Sequence, residues 1–207
     1  LQKLYDKYVC PHLINYAMQM KPFRKQREKV IPSASGRVLE IGIGSGLNFN
    51  YYNKENVSEV FAVEPDRILL EKAQQNAKIN NITLNVQQLK AEELPFDNNS
   101  FDTIISTYTM CSIPGLSSAM SEINRVVKPN GKLLFSEHGK SPDMNVFKWQ
   151  KRMNGIQKRI AGGCHLDVDI PNEIIKANFK LNKIDSMYVP GPKFLSYHYW
   201  GVASPLK

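Results

Sequence analysis

Apolar positions follow two alternating periods along this chain. Over residues 1–31 they recur at helical spacing: Leu1, Leu4, Tyr5 and Tyr8 share a face, and Leu13, Ala17 and Met20 continue it after Pro11. Pro32-Ser33-Ala34-Ser35-Gly36 ends that segment and leads into Arg37-Val38-Leu39-Glu40-Ile41, a short buried strand. A tight loop, Gly42 to Gly46, follows, and residues 47–52 are expected to begin a helix. Strands are predicted at 60–63, 84–89, 101–107 and 132–137. Helices are predicted at 66–80, with Leu69, Ala73 and Ala77 on one face, and at 117–127, stopped by Pro129-Asn130-Gly131. Residues 144–160 form a further helix with Trp149, Met153, Ile156 and Ile160 as an apolar stripe, and a short helix is predicted at 171–178. Residues 183–189 and 197–203 form a terminal hairpin through Pro190-Gly191-Pro192. Strands and helices alternating this way predict an α/β fold, a mostly parallel sheet with helices on both faces and right-handed crossovers.

Composition narrows this picture only slightly. A length of 207 residues buries one core, and no apolar run is long enough to span a bilayer. No basic segment followed by an apolar run opens the chain, so no signal peptide is expected; a chain that starts on Leu1 leaves room for an upstream piece. Cys10, Cys111 and Cys164 form no paired framework, which fits a reducing, cytoplasmic setting.

Charge adds more. The net +8 sits in two segments: residues 1–37 carry eight basic residues against Asp6 and Glu28, and residues 144–160 carry five with no acid. Such patches attract anionic partners, among them a membrane surface touched peripherally; ordinary solvated helix faces look the same in sequence.

Candidate chemistry begins at Glu40-x-Gly42-x-Gly44-x-Gly46. Glycines let the backbone turn sharply and approach a ligand where a Cβ would collide, and free N–H groups at a following helix favour an anion. A pyrophosphate loop of the Gly-x-Gly-x-x-Gly type needs glycine at position 47, which is Leu47. Glu64, at the carboxyl end of the second strand, is placed to accept hydrogen bonds from ribose hydroxyls, and Asp66 is the better helix cap. A carboxylate there suits any adenosine-type ligand, NAD included.

Taken in order, Val38-Leu39-Glu40-Ile41-Gly42-Ile43-Gly44-Ser45-Gly46, Glu64-Pro65-Asp66, Ala91-Glu92-Glu93-Leu94-Pro95-Phe96, Ser100-Phe101-Asp102 and Glu122 to Gly131 resemble the class I S-adenosylmethionine-dependent methyltransferases, in particular the type 11 group. The resemblance covers roughly residues 36–138. It implies a Rossmann-like, seven-stranded sheet with a C-terminal antiparallel hairpin and S-adenosyl-L-methionine as cofactor. It also implies a single domain, with a helical cap at 1–31, a cofactor-binding core at 36–138 and acceptor-side helices and hairpin at 139–207. Glu40, Gly42, Ile43, Gly44 and Gly46 are implied on the methionine and ribose side, with Glu64 and Pro65 at the ribose. Ala91 and Glu92 are implied at the adenine edge, and Thr107, Met110 and Cys111 beside the reactive sulfonium. The sequence departs from many relatives at Lys90, where they carry an acid.

A narrower set, Met110-Cys111-Ser112-Ile113, Phe135-Ser136-Glu137-His138, Trp149-Gln150 and Gly162-Gly163-Cys164-His165-Leu166, is similar to the branch containing the animal thiol S-methyltransferases and their bacterial relatives. The apolar amino-terminal anchor of the animal proteins does not occur in this sequence.

The expected activity is methyl transfer to a small-molecule acceptor such as a thiol. Phosphatidylethanolamine N-methylation and cofactor binding without turnover stand as alternatives. His138, at the end of the fifth strand, and His165 are the candidate acceptor-side groups, each with a structural reading beside the catalytic one. Tyr5 and Tyr8 read either as a lid or as part of a core stripe. No metal is expected, because no further ligands stand at zinc-like spacing from Cys164 and His165. Nucleic acid is not expected either: there is no Asn-Pro-Pro-Tyr-type motif and no aromatic and basic strand platform.

Overall fold

The computed structural model describes residues 2–207, so Leu1 lies outside the described residues. Seven strands form one sheet in the order β3-β2-β1-β4-β5-β7-β6. The strands are β1 (Gly36–Ile41), β2 (Val57–Val63), β3 (Leu84–Gln87), β4 (Phe101–Thr107), β5 (Val127–His138), β6 (Phe179–Tyr188) and β7 (Tyr197–Pro205). The first five pair in parallel, and β7 runs antiparallel to both β5 and β6. This is the Rossmann-like sheet with its terminal hairpin.

Alternating side chains split the core into two layers, as a strand period of two requires. Leu39, Ile41, Phe101, Ile104 and Leu133 face helices α5 (Leu116–Val126) and α7 (Ile170–Lys176). Val38, Val60, Ala62, Ile105 and Leu134 face Val30 at the end of α3 (Lys21–Val30) and Ala73 and Ala77 of α4 (Arg67–Ile79). Asp66 caps α4 by accepting the Leu69 N–H at 2.9 Å.

The amino-terminal segment divides into α1 (Gln2–Tyr8), α2 (Cys10–Met18) and α3, with breaks at Val9 and at Gln19–Met20. Leu4 and Tyr8 are exposed, so neither belongs to a core stripe; Leu1, the third position of that alternative, lies outside the described residues. The Tyr5 hydroxyl donates to the Ile160 carbonyl at 2.7 Å, which joins α1 to the end of α6 (Met144–Ile160).

Two local expectations are corrected, and one open reading is resolved. No α-helix follows the glycine loop; residues 44–48 are turns and Phe49–Tyr51 is one 3-10 turn. The run Asn48-Phe49-Asn50-Tyr51-Tyr52 holds weak helix formers, and Asn48 and Tyr52 spend their side chains on Glu40. Pro129-Asn130-Gly131 lies within β5 as an irregularity between the pairs Phe101↔Val127 and Thr103↔Lys132, rather than ahead of the strand. The α6 stripe faces outward: Trp149, Ile156 and Ile160 are each more than half exposed, and the helix packs inward through Val146 and Gln150. Gln150 accepts the Ser141 N–H and donates to the Gly139 carbonyl, both at 2.9 Å.

Helix α6 ends where Gly162 and Gly163 adopt φ of +58° and +84°. The Gly163 N–H closes a Schellman-type bond on the Lys158 carbonyl at 2.9 Å. This turn carries Cys164 and His165 back against the sheet.

Candidate active site

A cavity of about 390 Å³ lies beyond the carboxyl ends of β1, β2 and β4. Open α/β sheets bind ligands there, at the point where strand order reverses. Its sheet-side wall is Gly42 to Ser45, Glu64 to Asp66, Leu89 to Glu92 and Thr107 to Thr109; its helical wall comes from α2, Arg27 of α3 and Gly162.

The three loop glycines have different tasks. Gly42, at φ +62°, leaves room for Thr109: a Cβ would meet that side chain at 2.4 Å. Gly44, at φ +57°, faces open space, where a ligand approaches the bare backbone. Gly46 does not line the cavity; at φ +79° it lies under the Phe49 ring, which a Cβ would meet at 2.3 Å. With no helix after the loop, the expected helix-terminus anion site does not form, and the polar contacts fall to side chains instead.

Glu64 is buried and spans the loop, accepting the Gly44 N–H at 2.8 Å and the Asp66 N–H at 3.0 Å. Burial raises its pKa, and those two bonds oppose the shift. The same carboxylate lines the cavity, as the ribose assignment requires. Pro65, Ala91 and Thr107 line it too, and so does Glu92, which accepts the Gly115 N–H at 3.1 Å. Ile43 is buried and contributes to the same wall.

Glu40 stands behind that wall and does not line it. Its carboxyl takes hydrogen bonds from Asn48 Nδ2 at 2.8 Å and from the Tyr52 hydroxyl. Burial pushes it up to about 7, against the pull of those two donors and of Arg27. Its task is to brace the loop from within.

Two polar atoms of lining residues are buried without a partner: Nε of Arg27 and Oδ1 of Asn48. A buried donor on the helical wall and a buried acceptor just after the glycine loop, both left open, call for a ligand carrying the complementary groups. The α-carboxylate and α-ammonium of a methionine moiety are such a pair, so the residues present fit S-adenosylmethionine. Arg27 is held by donating to the Met18 carbonyl at 2.9 Å, with its guanidinium 5.2 Å over the Tyr108 ring.

Tyr108 follows β4 at φ +58°, a conformation uncommon outside glycine. Its hydroxyl shares a 3.2 Å hydrogen bond with His198 Nδ1. Burial, with His138 and Lys29 nearby, pushes His198 down to about 3 and keeps it neutral. Sequence reasoning missed Arg27, Asn48 and Tyr108. Arg27 counted only toward a basic segment, and the one available signal for Tyr108 was its place just after a strand that ends at the ligand edge.

Other expected positions differ. Met110 is buried in the core, and Cys111 turns away from the cavity, so the wall beside the expected sulfonium is Ser112 and Ile113. His138 is buried outside the cavity with Nε2 3.2 Å from Cys164 Sγ. His165 is half-buried in the turn after α6, its N–H donating to the Cys111 carbonyl at 2.8 Å, and it does not line the cavity either. Neither candidate histidine lines the cavity: His138, at the end of β5, meets Cys164, and the Gly162-Gly163 turn carries residue 165 back against the Cys111 carbonyl. Tyr5 and Tyr8 do not close the cavity; Cys10, Pro11, Ile14, Asn15 and Met18 do.

Comparison with known proteins agrees with this geometry. Residues 39–135 match the family model described as a methyltransferase domain. They are a methyltransferase domain. The chain is 29% identical over 153 residues to thiol S-methyltransferase TMT1B of Rattus norvegicus, an alignment covering 69% of this chain and 59% of the relative. It is 31% identical over 147 residues to the ubiquinone/menaquinone biosynthesis C-methyltransferase UbiE of Rickettsia prowazekii (strain Madrid E), covering 65% and 57%. The chain thus spans less than two thirds of either relative. In fold it is similar to a putative methyltransferase, BH2331, from Bacillus halodurans C-125, with a TM-score of 0.72, 17% identity and coverage of 87% and 97%. The methyltransferase domain is of the S-adenosylmethionine-dependent, class I kind.

Proposed function

We propose that this protein methylates a small, apolar thiol. One observation carries the choice: the carboxylates that line the cavity are all engaged, and no imidazole stands beside them to take a proton. No histidine among the described residues lines the cavity. Glu64, Asp66 and Glu92 are engaged by backbone N–H groups, and Asp6 sits exposed at the rim with Gln2. A thiol with a pKa near ~8.5 ionises to a useful extent by itself around neutrality, whereas a hydroxyl or ammonium needs its proton removed.

Bound S-adenosylmethionine supplies a methyl already activated on a sulfonium sulfur and leaves as S-adenosylhomocysteine. The chain's own residues supply position. Glu64 holds the ribose, Arg27 and Asn48 hold the carboxylate and ammonium, and Ala91 and Glu92 border the adenine. Ile14, Met18 and Ile113 offer apolar surface to the acceptor and exclude water. Alignment of this kind is worth up to ~7–11 kcal/mol of the barrier. The likeness to TMT1B, named a thiol S-methyltransferase, supports the reading.

The basic, outward-facing stripe of α6 supports a second element of the proposal, peripheral contact with an anionic membrane by a protein of the cytoplasm. Trp149, Ile156 and Ile160 are exposed between Lys148, Lys151, Arg152, Lys158 and Arg159, a pattern suited to an interface rich in anionic lipid. Three unpaired cysteines fit the reducing compartment.

An acceptor screen with labelled methyl donor tests both elements, run with alkyl thiols, phenols, amines and phosphatidylethanolamine, with and without anionic vesicles. Thiol turnover and co-sedimentation with anionic vesicles at low salt are expected. Turnover on phosphatidylethanolamine alone would replace the thiol reading with lipid N-methylation. Cofactor binding with no turnover would make the protein a binder, and no sedimentation would remove the membrane contact.

A further inference from the structure

Three side chains that sequence spacing kept apart meet at one buried point outside the cofactor cavity. They are Cys111, in the 3-10 turn Met110–Ser112 after β4, His138, the last residue of β5, and Cys164, in the turn after α6. All three are buried, and their ligating atoms lie within 4.8 Å of one another, with Cys164 Sγ 3.2 Å from His138 Nε2.

We propose that Cys111, His138 and Cys164 form a binding site for a zinc-type metal ion, with a fourth position open to water or a small exogenous ligand. Zinc–sulfur and zinc–nitrogen bonds of ordinary length at tetrahedral angles hold ligand atoms about 3.5–3.8 Å apart. The observed separations need shifts of at most about 1 Å to reach that spacing. Two thiolates and a neutral imidazole leave a dication with no net charge, which is what a buried site demands. Softness agrees as well, since a sulfur-rich set selects zinc over magnesium or calcium.

Surrounding groups already orient the ligands. Gln157 Nε2 donates toward Cys164 Sγ at 3.8 Å, and Ser112 Oγ lies 3.6 Å from Cys111 Sγ. The His165 N–H bond to the Cys111 carbonyl fixes the two cysteine-bearing turns against each other. Glu137, beside His138 in sequence, is not a fourth ligand: its carboxyl is taken by Ser106 and the Thr109 N–H on the other side of the strand. A metal here ties the turn after α6, and with it the cavity-lining Gly162, to the carboxyl end of the sheet.

The test uses the full chain, reduced and stripped with a chelator, then titrated with Co²⁺ as a spectroscopic stand-in for zinc. One equivalent should bind with sulfur-to-cobalt charge transfer and the intense visible bands of tetrahedral cobalt, and Zn²⁺ should displace it. C111S and C164S should each weaken binding at least about 100-fold, and C10S should not. The wild-type spectrum counts sulfur ligands by itself, so the proposal stays testable where a variant fails to fold. Absence of stoichiometric uptake by the reduced, folded protein, a weak octahedral cobalt spectrum, or binding that survives C111S and C164S would overturn it. None of these readouts depends on the methyl acceptor.

Discussion

The sheet-side wall of the cavity comes from short consecutive runs, Gly42 to Ser45 and Glu64 to Asp66, whereas the helical wall is assembled from α2 and a single arginine of α3. On the sheet side the ligand meets mostly backbone, shaped by left-handed glycines and tied by Glu64 through bonds spanning two and twenty residues. On the helical side it meets side chains, held through partners far off in sequence. Ser45 Oγ donates to Asn15, and the Tyr5 hydroxyl and Gln2 amide reach the carbonyls of Ile160 and Arg159. The contrast separates a wall shaped by local backbone from one assembled only by tertiary packing. Under the proposed function the first wall takes the nucleoside, and Arg27 on the second takes the amino-acid end of the cofactor.

The largest expected effect lies in the brace behind the sheet-side wall. Glu40 is fully buried and is pushed up to about 7 from an ordinary carboxyl value near ~4.3. A raised carboxyl pKa contributes stability that is present in full below the unfolded value and is lost as pH rises through the folded one. Glu40 should therefore lower the unfolding free energy by up to about 3 kcal/mol between pH 5 and pH 8; Glu137, pushed up by burial to about 7 as well, adds a fall of the same sign, so E40Q should remove the Glu40 share and make the slope shallower. Denaturant melts of both proteins across this range check it, and parallel slopes would remove Glu40 as the source.

Next comes the wall itself. E64A removes the ribose acceptor and unties Gly44 from Asp66, so affinity should drop about 100-fold, roughly 2.7 kcal/mol, for S-adenosylmethionine and for 5′-methylthioadenosine alike. Calorimetry reads both ligands, and a loss under threefold would contradict the ribose role.

The smallest effect sharpens the comparison most. R27M should weaken S-adenosylmethionine about 10-fold, near 1.4 kcal/mol, while leaving 5′-methylthioadenosine, which has no amino-acid end, unchanged. Equal losses for the two ligands would mean that Arg27 only supports the fold through Met18 and Tyr108.

Much of the sheet-side wall was legible in sequence because its geometry is local. Gly42 and Gly44 need left-handed backbone, Glu64 follows a strand, and Asp66 caps the next helix, all within short range. Gly46 shows where such reading stops: its glycine requirement was visible, but its partner is the Phe49 ring rather than a ligand. Arg27 and Tyr108 carried no motif, since their roles exist only once α3 lies across the end of β4. The apolar stripe of α6 was equally plain in sequence, and only its surroundings show that Val146 and Gln150, not Trp149, turn inward.

By itself, then, the sequence determined the alternation of strands and helices, the turns that need glycine and the acid that follows the second strand, because each depends on a residue and its near neighbours. Tertiary structure alone decided that neither His138 nor His165 reaches the cavity, what closes it, and that Cys111, His138 and Cys164 meet. Those outcomes depend on where chain segments separated by 26 or more residues are brought together by the packing of a shared core. Period and spacing carry no record of such contacts.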